Sequence, residues 1–191
     1  SGAGAAACNA CDAGERSGAA AGSCGGCAAG KYSEAGQRAC SACVVGRYSA
    51  SGAAACIKCS AGQYGDAAVN RSTGAHCIVC ALGKYQAAAG ERECKKCAAG
   101  RFGEGGSTSE TCSGACAAGS WSEESSHKCI ECGVGKYGRK DSAKVAETHC
   151  RACEVGKVQR VNGSTFCDAC ASGEFQAEAG RLECATCGAG M

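Results

Sequence analysis

Cysteine is the residue type whose number and spacing point most directly to chemistry in this chain. Twenty-two of the 191 residues are cysteines, and they fall in eleven close pairs, ten of which are C-x-x-C. Such pairs hold zinc, act as redox dithiols or form structural disulfides. Cys24-Gly-Gly-Cys27 would suit a redox motif if it stood alone, but its ten companion pairs favour a structural role.

Zinc is the main rival to disulfides. Cys56-x-x-Cys59 followed by Cys77-x-x-Cys80 has the spacing of a zinc ribbon, so a metal-binding cysteine-rich protein is one hypothesis. A zinc site would take the pairs two at a time, and eleven pairs cannot be grouped in twos. Disulfides are therefore the favoured interpretation, with no metal site and no cofactor expected.

The composition excludes several classes of protein. Leu, Ile, Val and Phe together number 17, too few for a conventional apolar core, so cross-links must replace it in a secreted or cell-surface protein. The net charge of +2 comes from scattered residues and does not favour a nucleic-acid partner. No apolar stretch is long enough to cross a membrane. No Ser/His/Asp or Cys/His set has catalytic spacing, so we expect no catalytic residues and no enzyme.

Two further columns of residues repeat with the cysteine pairs. A glycine stands three residues after the second cysteine of every pair, at Gly14, Gly30, Gly46, Gly62, Gly83, Gly100, Gly119, Gly135, Gly156, Gly173 and Gly190. Two residues later stands an aromatic side chain in eight of ten complete repeats, at Tyr32, Tyr48, Tyr64, Tyr85, Phe102, Trp121, Tyr137 and Phe175. A second glycine, such as Gly36 or Gly180, often precedes the closing cysteine and is typical of a tight turn.

These columns predict the fold. Each repeat is expected to be an irregular β-hairpin closed at its base by one disulfide, with the aromatic residue covering sulfur. The fold class is thus small, disulfide-rich and mostly irregular or β, an elongated rod of tandem one-disulfide hairpins with little helix. Residues 1–191 are expected to form a single continuous array of ten cysteine-rich repeats with partial repeats at both ends. With strands stacked about 4.8 Å apart, each hairpin would advance the array by roughly 10 Å.

The order of cysteine pair, glycine, tyrosine, second glycine and next pair, as in Cys24 to Cys43, resembles the ephrin-receptor-like cysteine-rich repeat. It is also similar to the small one-disulfide module that begins TNF-receptor repeats. This resemblance implies an extracellular protein and allows two functions, a ligand-binding receptor ectodomain or a flagellar-hair-type surface protein. Family members usually carry proline directly after the second cysteine, where this chain has residues such as Ala28 and Val44.

Two disulfide patterns compete. In the ladder, the second cysteine of each pair bonds the first cysteine of the next pair; in the interlocked pattern, pairs bond two at a time. The glycine and aromatic columns recur in every repeat rather than every second one, which favours the ladder. Its pairs are Cys11–Cys24, Cys27–Cys40, Cys43–Cys56, Cys59–Cys77, Cys80–Cys94, Cys97–Cys112, Cys116–Cys129, Cys132–Cys150, Cys153–Cys167 and Cys170–Cys184. Each closes a loop of about 15 residues, worth roughly 3 kcal/mol.

The ladder leaves Cys8 and Cys187 without partners at opposite ends of the chain. If a second copy followed Met191, its Cys8 would come 12 positions after Cys187, close to the 13 of most short repeats. The leading hypothesis is therefore a structural extracellular glycoprotein, the protein thread of a filament or surface appendage whose copies join head to tail. The alternative is the ligand-binding ectodomain of a cell-surface receptor.

Glycans are the other expected partners. Asn70-Arg-Ser72 and Asn162-Gly-Ser164 are N-glycosylation sequons on loops, and Asn70 is favoured because its loop is longer. Three histidines, His76, His127 and His149, stand one or two residues before a closing cysteine. The expectation for all three is solvent exposure.

Partial reduction followed by peptide mapping tests the ladder. We expect a peptide in which Cys27 is joined to Cys40, because the ladder makes every loop equivalent. A peptide joining Cys24 to Cys40 would establish the interlocked pattern instead.

Overall fold

The computed structural model describes residues 10–17, 23–140 and 144–188. Its backbone divides into two compact units, one of Ser1–Cys80 with Gln86–Cys94 and the other of Ala81–Tyr85 with Lys95–Met191. In the described residues, twenty short strands pair in chain order into ten antiparallel two-stranded hairpins. Four hairpins belong to the first unit and six to the second.

The hairpins consist of strands of two or three residues. The first unit contains β1 (Glu15–Ser17), β2 (Cys24–Gly26), β3 (Lys31–Tyr32), β4 (Ser41–Ala42), β5 (Arg47–Tyr48), β6 (Ile57–Lys58), β7 (Gln63–Gly65) and β8 (Cys77–Val79). The second contains β9 (Lys84–Tyr85), β10 (Lys95–Lys96), β11 (Arg101–Phe102), β12 (Gly114–Ala115), β13 (Ser120–Trp121), β14 (Ile130–Glu131), β15 (Lys136–Gly138), β16 (Cys150–Ala152), β17 (Lys157–Val158), β18 (Asp168–Ala169), β19 (Glu174–Phe175) and β20 (Ala185–Thr186). Two 3₁₀ helices, Gly74–His76 and Glu147–His149, are the helical segments of the described chain.

A tight turn starts each hairpin, and the second hairpin illustrates it. The carbonyl oxygen of Ala28, directly after Cys27, accepts a hydrogen bond from the Lys31 amide at 3.0 Å. Gly30 occupies the third position of this turn with φ 80°, a conformation that a type II turn requires and that glycine adopts without steric cost. The Cys43 amide then donates to the carbonyl of Gly30 at 2.9 Å, which fixes the far end of the hairpin to the turn.

In the described parts of the chain, ten disulfides close the hairpins, and their sulfur atoms make up most of the core. Each joins the second cysteine of one pair to the first of the next, with Cα–Cα distances of 5.3 to 5.9 Å, within the usual range for a disulfide. In the described residues, the buried apolar side chains are cysteines and Val158. The repeated aromatic residues are half-buried, except Phe175, which is exposed.

Consecutive hairpins are joined by backbone hydrogen bonds that start from the glycine column. The amides of Gly14 and Gly30 donate to the carbonyls of Ser33 and Ser49 in the next hairpin, at 2.7 and 2.8 Å. The same bond recurs from Gly62 to Gln86, Gly83 to Gly103, Gly100 to Ser122, Gly135 to Gln159 and Gly156 to Gln176. We call each such connection a joint. The residue that accepts at one joint also donates its own amide onward, as Ser33 does to Ala53 at 3.3 Å.

The predicted fold class is confirmed: the protein is small, disulfide-rich and mostly β, with little helix. One detail differs from the expectation. The strands of consecutive hairpins form separate sheets, because each strand is only two or three residues long, and neighbours touch through joints and isolated bridges such as Tyr32 with Ala53. The single continuous array of ten repeats and its predicted length stay predictions.

A pair of glycine substitutions in the second unit separates turn strain from packing at a joint. Gly135 and Gly156 have φ of 73° and 76°, so alanine costs about 1 kcal/mol of backbone strain at each. A Cβ on Gly135 would overlap the carbonyl oxygen of Gly180, whereas a Cβ on Gly156 would meet no atom within 4 Å. We therefore expect Gly135→Ala to lose about 1 to 3 kcal/mol more stability than Gly156→Ala. Denaturant unfolding with the disulfides intact measures the difference; equal losses would contradict the packing shown here.

Candidate functional site

Two joints depart from the common pattern, and both involve the longest hairpin loops. The loops closed by Cys59–Cys77 and Cys132–Cys150 each span 18 residues, against 13 to 15 elsewhere. Each contains one of the two 3₁₀ helices, directly before its closing cysteine. Each of these two loops contributes side chains that the regular repeats lack.

In the first unit, an imidazole replaces the usual carbonyl acceptor. The Gly46 amide donates to Nε2 of His76 at 3.2 Å, where Gly30 and Gly62 donate to carbonyl oxygens. Nδ1 of His76 lies 3.3 Å from the carbonyl oxygen of Val69. Since an amide N–H can donate only to a bare nitrogen, this geometry assigns the ring proton to Nδ1. His76 is fully buried, so its neutral Nδ1–H tautomer is part of the core.

A missing side chain makes room for this ring. Gly65 stands where other hairpins carry Ser33, Ser49 or Gln86, and a Cβ on Gly65 would overlap both the Gly46 backbone and Nε2 of His76. The ring belongs to the last residue of the 3₁₀ helix. Thr73 caps the start of this helix, because its hydroxyl oxygen accepts a hydrogen bond from the Ala75 amide at 3.4 Å. The His76 ring can therefore occupy this position only because residue 65 has no side chain.

The same loop also places a positively charged side chain, Arg71, against the backbone carbonyl of a buried cysteine. Elsewhere the carbonyl of the second cysteine accepts an amide from the next hairpin, as Cys27 does from Gly52 at 2.7 Å. The carbonyl of Cys43 instead accepts a hydrogen bond from Nη1 of Arg71 at 2.7 Å. The Arg71 carbonyl in turn accepts the amide of Ser49 at 3.0 Å. Arg71 thus binds the preceding hairpin at two points.

The second unit repeats the residue types of this arrangement 73 positions later in the sequence. His149 corresponds to His76, Gly138 to Gly65 and Lys144 to Arg71. Nζ of Lys144 donates to the Cys116 carbonyl at 2.9 Å, and the Lys144 carbonyl accepts the Ser122 amide at 3.0 Å. A Cβ on Gly138 would overlap Nε2 of His149. The pKa of His149 is lowered below the ordinary value of 6.5, first by burial and second by the positive charge of Lys144.

The expected exposure of three equivalent histidines was wrong for two of them. His76 and His149 are buried, and only His127 is exposed. His127 lies in a loop of ordinary length, closed by Cys116–Cys129. Loop length therefore distinguishes the two buried histidines from the exposed one. The signal in the sequence was a histidine directly before the closing cysteine, combined with a glycine directly after the repeated tyrosine, at Gly65 and Gly138.

Of the two cysteines predicted to lack partners, the structure describes Cys187. Cys187 is an exposed free thiol. Cys8 lies outside the described residues. In the described part of the chain, no three or more His, Cys, Asp or Glu side chains are grouped so that they could hold a metal ion.

Both sequon asparagines are exposed. Asn162 lies in the turn before Gly163, and Asn70 lies in the long loop of the first unit. The hydroxyl of Ser164 in the second sequon accepts a hydrogen bond from Nε2 of Gln159 at 2.7 Å. Each sequon asparagine therefore lies at the surface of its own unit.

The comparisons with known proteins agree with the repeat. The family model described as tyrosine-protein kinase ephrin type A/B receptor-like matches residues 68–112. This segment is an ephrin-receptor-like cysteine-rich repeat. No curated protein matches the chain.

The family match and the disulfides indicate an extracellular or cell-surface location, because structural disulfides persist in oxidising compartments. The matched family is a receptor-like cysteine-rich repeat rather than a class of enzyme. Within the described residues, no helix is both long and apolar enough to span a bilayer.

Substitution of Arg71 tests the side-chain contact with Cys43. Arg71→Met leaves the carbonyl of a buried cysteine without its donor, so we expect a loss of about 1 to 2 kcal/mol in the free energy of unfolding. Arg71→Lys should lose less, because Lys144 makes the equivalent bond. Arg92→Met, at an exposed position of the same unit, is the matched control. Equal stability of Arg71→Met and Arg92→Met in denaturant unfolding would show that the contact contributes nothing.

Proposed function

We propose that this chain is a structural extracellular glycoprotein, the protein thread of a filament or surface appendage whose copies join head to tail. The observation that carries this proposal is the joint itself. It uses backbone groups, so it recurs with serine, glutamine or glycine as the accepting residue. A surface of this kind accepts another hairpin of the same type with little dependence on side chains.

The last described hairpin presents the surface that earlier hairpins have covered. A Cβ on Gly173 would meet no atom within 4 Å, whereas Gly119 and Gly135 lie against the backbone of later hairpins. Phe175 is 49% exposed, and Cys187 is exposed while Cys132 and Cys153 are buried. A further hairpin of the same type would cover these groups.

The first described hairpin presents the complementary surface. Ser17 holds the position of Ser33 and Ser49, yet it is exposed and they are buried. In the proposed junction, a hairpin closed by Cys187 of one copy and Cys8 of the next lies between the two copies. It covers the last hairpin on one side and the region of Ser17 on the other. The contact is heterologous and does not close on itself, so repetition builds a filament.

Glycans at Asn70 and Asn162 are part of the proposal. Both sequons lie in hairpin loops, and Asn162 is exposed. Carbohydrate there would cover loop surface and leave the backbone groups of the joints accessible to a second copy. Within the described residues, the hydrogen bonds of the joints described above involve neither asparagine.

A ligand-binding receptor ectodomain is the second candidate. The match to the receptor-like family over residues 68–112 favours it. In that case the loops rather than the ends would bind a protein partner. The described exposed aromatic side chains, Phe166 and Phe175, both lie in the second unit and are the natural anchors for such a partner.

Electron microscopy of the native material tests the leading proposal. We expect long fibres whose axial repeat is close to the length of one chain, because each copy adds one head-to-tail junction. Isolated monomers at high protein concentration would contradict the filament and leave the receptor ectodomain as the better reading.

Non-reducing electrophoresis checks the covalent part of the same proposal. The native chain should run as a series of disulfide-linked oligomers that collapse to monomer on reduction. Cys187→Ser should abolish the series, and Thr186→Ser at the neighbouring exposed position should not. Oligomers that persist in Cys187→Ser would exclude Cys187 as the linking residue.

A further inference from the structure

His76 has a role that the repeat pattern alone does not require. A hairpin joint needs an acceptor for the glycine amide, and a backbone carbonyl serves at Gly30 and Gly62. At Gly46 the acceptor is a ring nitrogen, a basic atom that can take up a proton, whereas a carbonyl oxygen cannot. The chemistry of this joint therefore differs from that of its neighbours.

We propose that His76 is an acid-sensitive lock, which holds the joint at Gly46 closed while its imidazole is neutral and releases that joint when the imidazole gains a proton. The proposal concerns the chain itself and does not depend on filament assembly. Joints with carbonyl acceptors stay closed over the same pH range.

The geometry at His76 explains the release. In the closed joint, Nδ1 bears the proton and donates to Val69, and Nε2 accepts from Gly46. A proton added to Nε2 would point at the Gly46 N–H, so two donors would face each other without an acceptor. His76 is fully buried, and the charged ring cannot be hydrated in place. The joint must open for the ring to reach water.

The charged groups on the elements around His76 are few. β5, which packs on the 3₁₀ helix, carries Arg47, and the loop before the helix carries Asp66 and Arg71. Glu91 comes close through its backbone, because its carbonyl accepts the Gly65 amide at 2.9 Å. β7, β8 and the helix itself have no charged side chain. No described carboxylate forms an ion pair with His76, and Arg71 adds a positive charge to the same loop.

The second unit places the same residue types together, with a different cation. His149 is buried beside Gly138, and Lys144 holds the preceding hairpin. β13 and β15 lie around it; β13 has no charged side chain, and Lys136 of β15 is paired on the surface with Glu147. Arg151 on β16 adds one more cation nearby in the chain.

The direction of the pH effect at His149 follows from its pKa. Burial first, and Lys144 second, lower the pKa of His149 below 6.5 in the folded chain. The unfolded chain then binds more protons than the folded chain just below pH 6.5. Stability is complete above that pH and declines as the pH falls through it towards the lowered folded pKa. Acid therefore lowers the stability of the fold around His149.

Hydrogen exchange of single amides in the ¹⁵N-labelled full chain tests the proposal at His76. The amides of Gly46, Gly30 and Gly62 are equivalent in the repeat and belong to the same unit, but only Gly46 has an imidazole acceptor. Between about pH 7.5 and about pH 5, we expect the protection factor of Gly46 to fall about tenfold or more relative to the other two. Equal changes at all three amides would overturn the lock.

Two further measurements make the test specific. Imidazole ¹⁵N shifts at neutral pH should show a proton on Nδ1 of His76 and none on Nε2; a proton on Nε2 would overturn the proposal without any variant. His76→Gln keeps a neutral acceptor and should remove the pH dependence at Gly46, and His127→Gln, at the exposed histidine, should leave it unchanged. Persistent pH dependence in a folded His76→Gln chain would also overturn it.

Discussion

The structure depends on one constraint: the backbone amide of each repeated glycine must find an acceptor in the next hairpin. With cysteines and a single valine as its described buried apolar side chains, the chain has little conventional core to hold its hairpins together. Disulfides close each hairpin individually but do not connect one hairpin to the next except along the chain. The glycine amides make that connection, and most of the other features serve to satisfy them.

This constraint explains why the chain tolerates varied side chains at the joints. The accepting position is serine in some hairpins, glutamine in others and glycine elsewhere, because its backbone carbonyl makes the contact. Each side chain then makes a hydrogen bond of its own. The Ser49 hydroxyl donates to the Lys31 carbonyl at 2.9 Å, while the Gln86 amide donates to Glu93 within its own hairpin at 2.6 Å. In the long loop of the first unit, Gly65 at this position admits His76 in place of the carbonyl.

Much of this fold follows from the sequence. The paired cysteines, the glycine after each pair and the shortage of aliphatic residues are enough to predict small disulfide-closed hairpins with little helix. The joints could not be predicted from these features, because they depend on which carbonyl of the next hairpin lies opposite each glycine. The burial of His76 and His149 was missed for a related reason. Position relative to the closing cysteine made them equivalent to His127, but His76 and His149 lie in the two loops of 18 residues, whereas His127 lies in a loop of 13.

The most direct test of the account is measurement of through-hydrogen-bond scalar couplings in the ¹⁵N,¹³C-labelled chain. Couplings should appear between the Gly30 nitrogen and the Ser49 carbonyl carbon, and between the corresponding atoms of Gly62 with Gln86 and Gly135 with Gln159. Their presence would establish that consecutive hairpins are joined through the glycine amides. Hairpins that are folded and disulfide-closed but show none of these couplings would contradict the central claim.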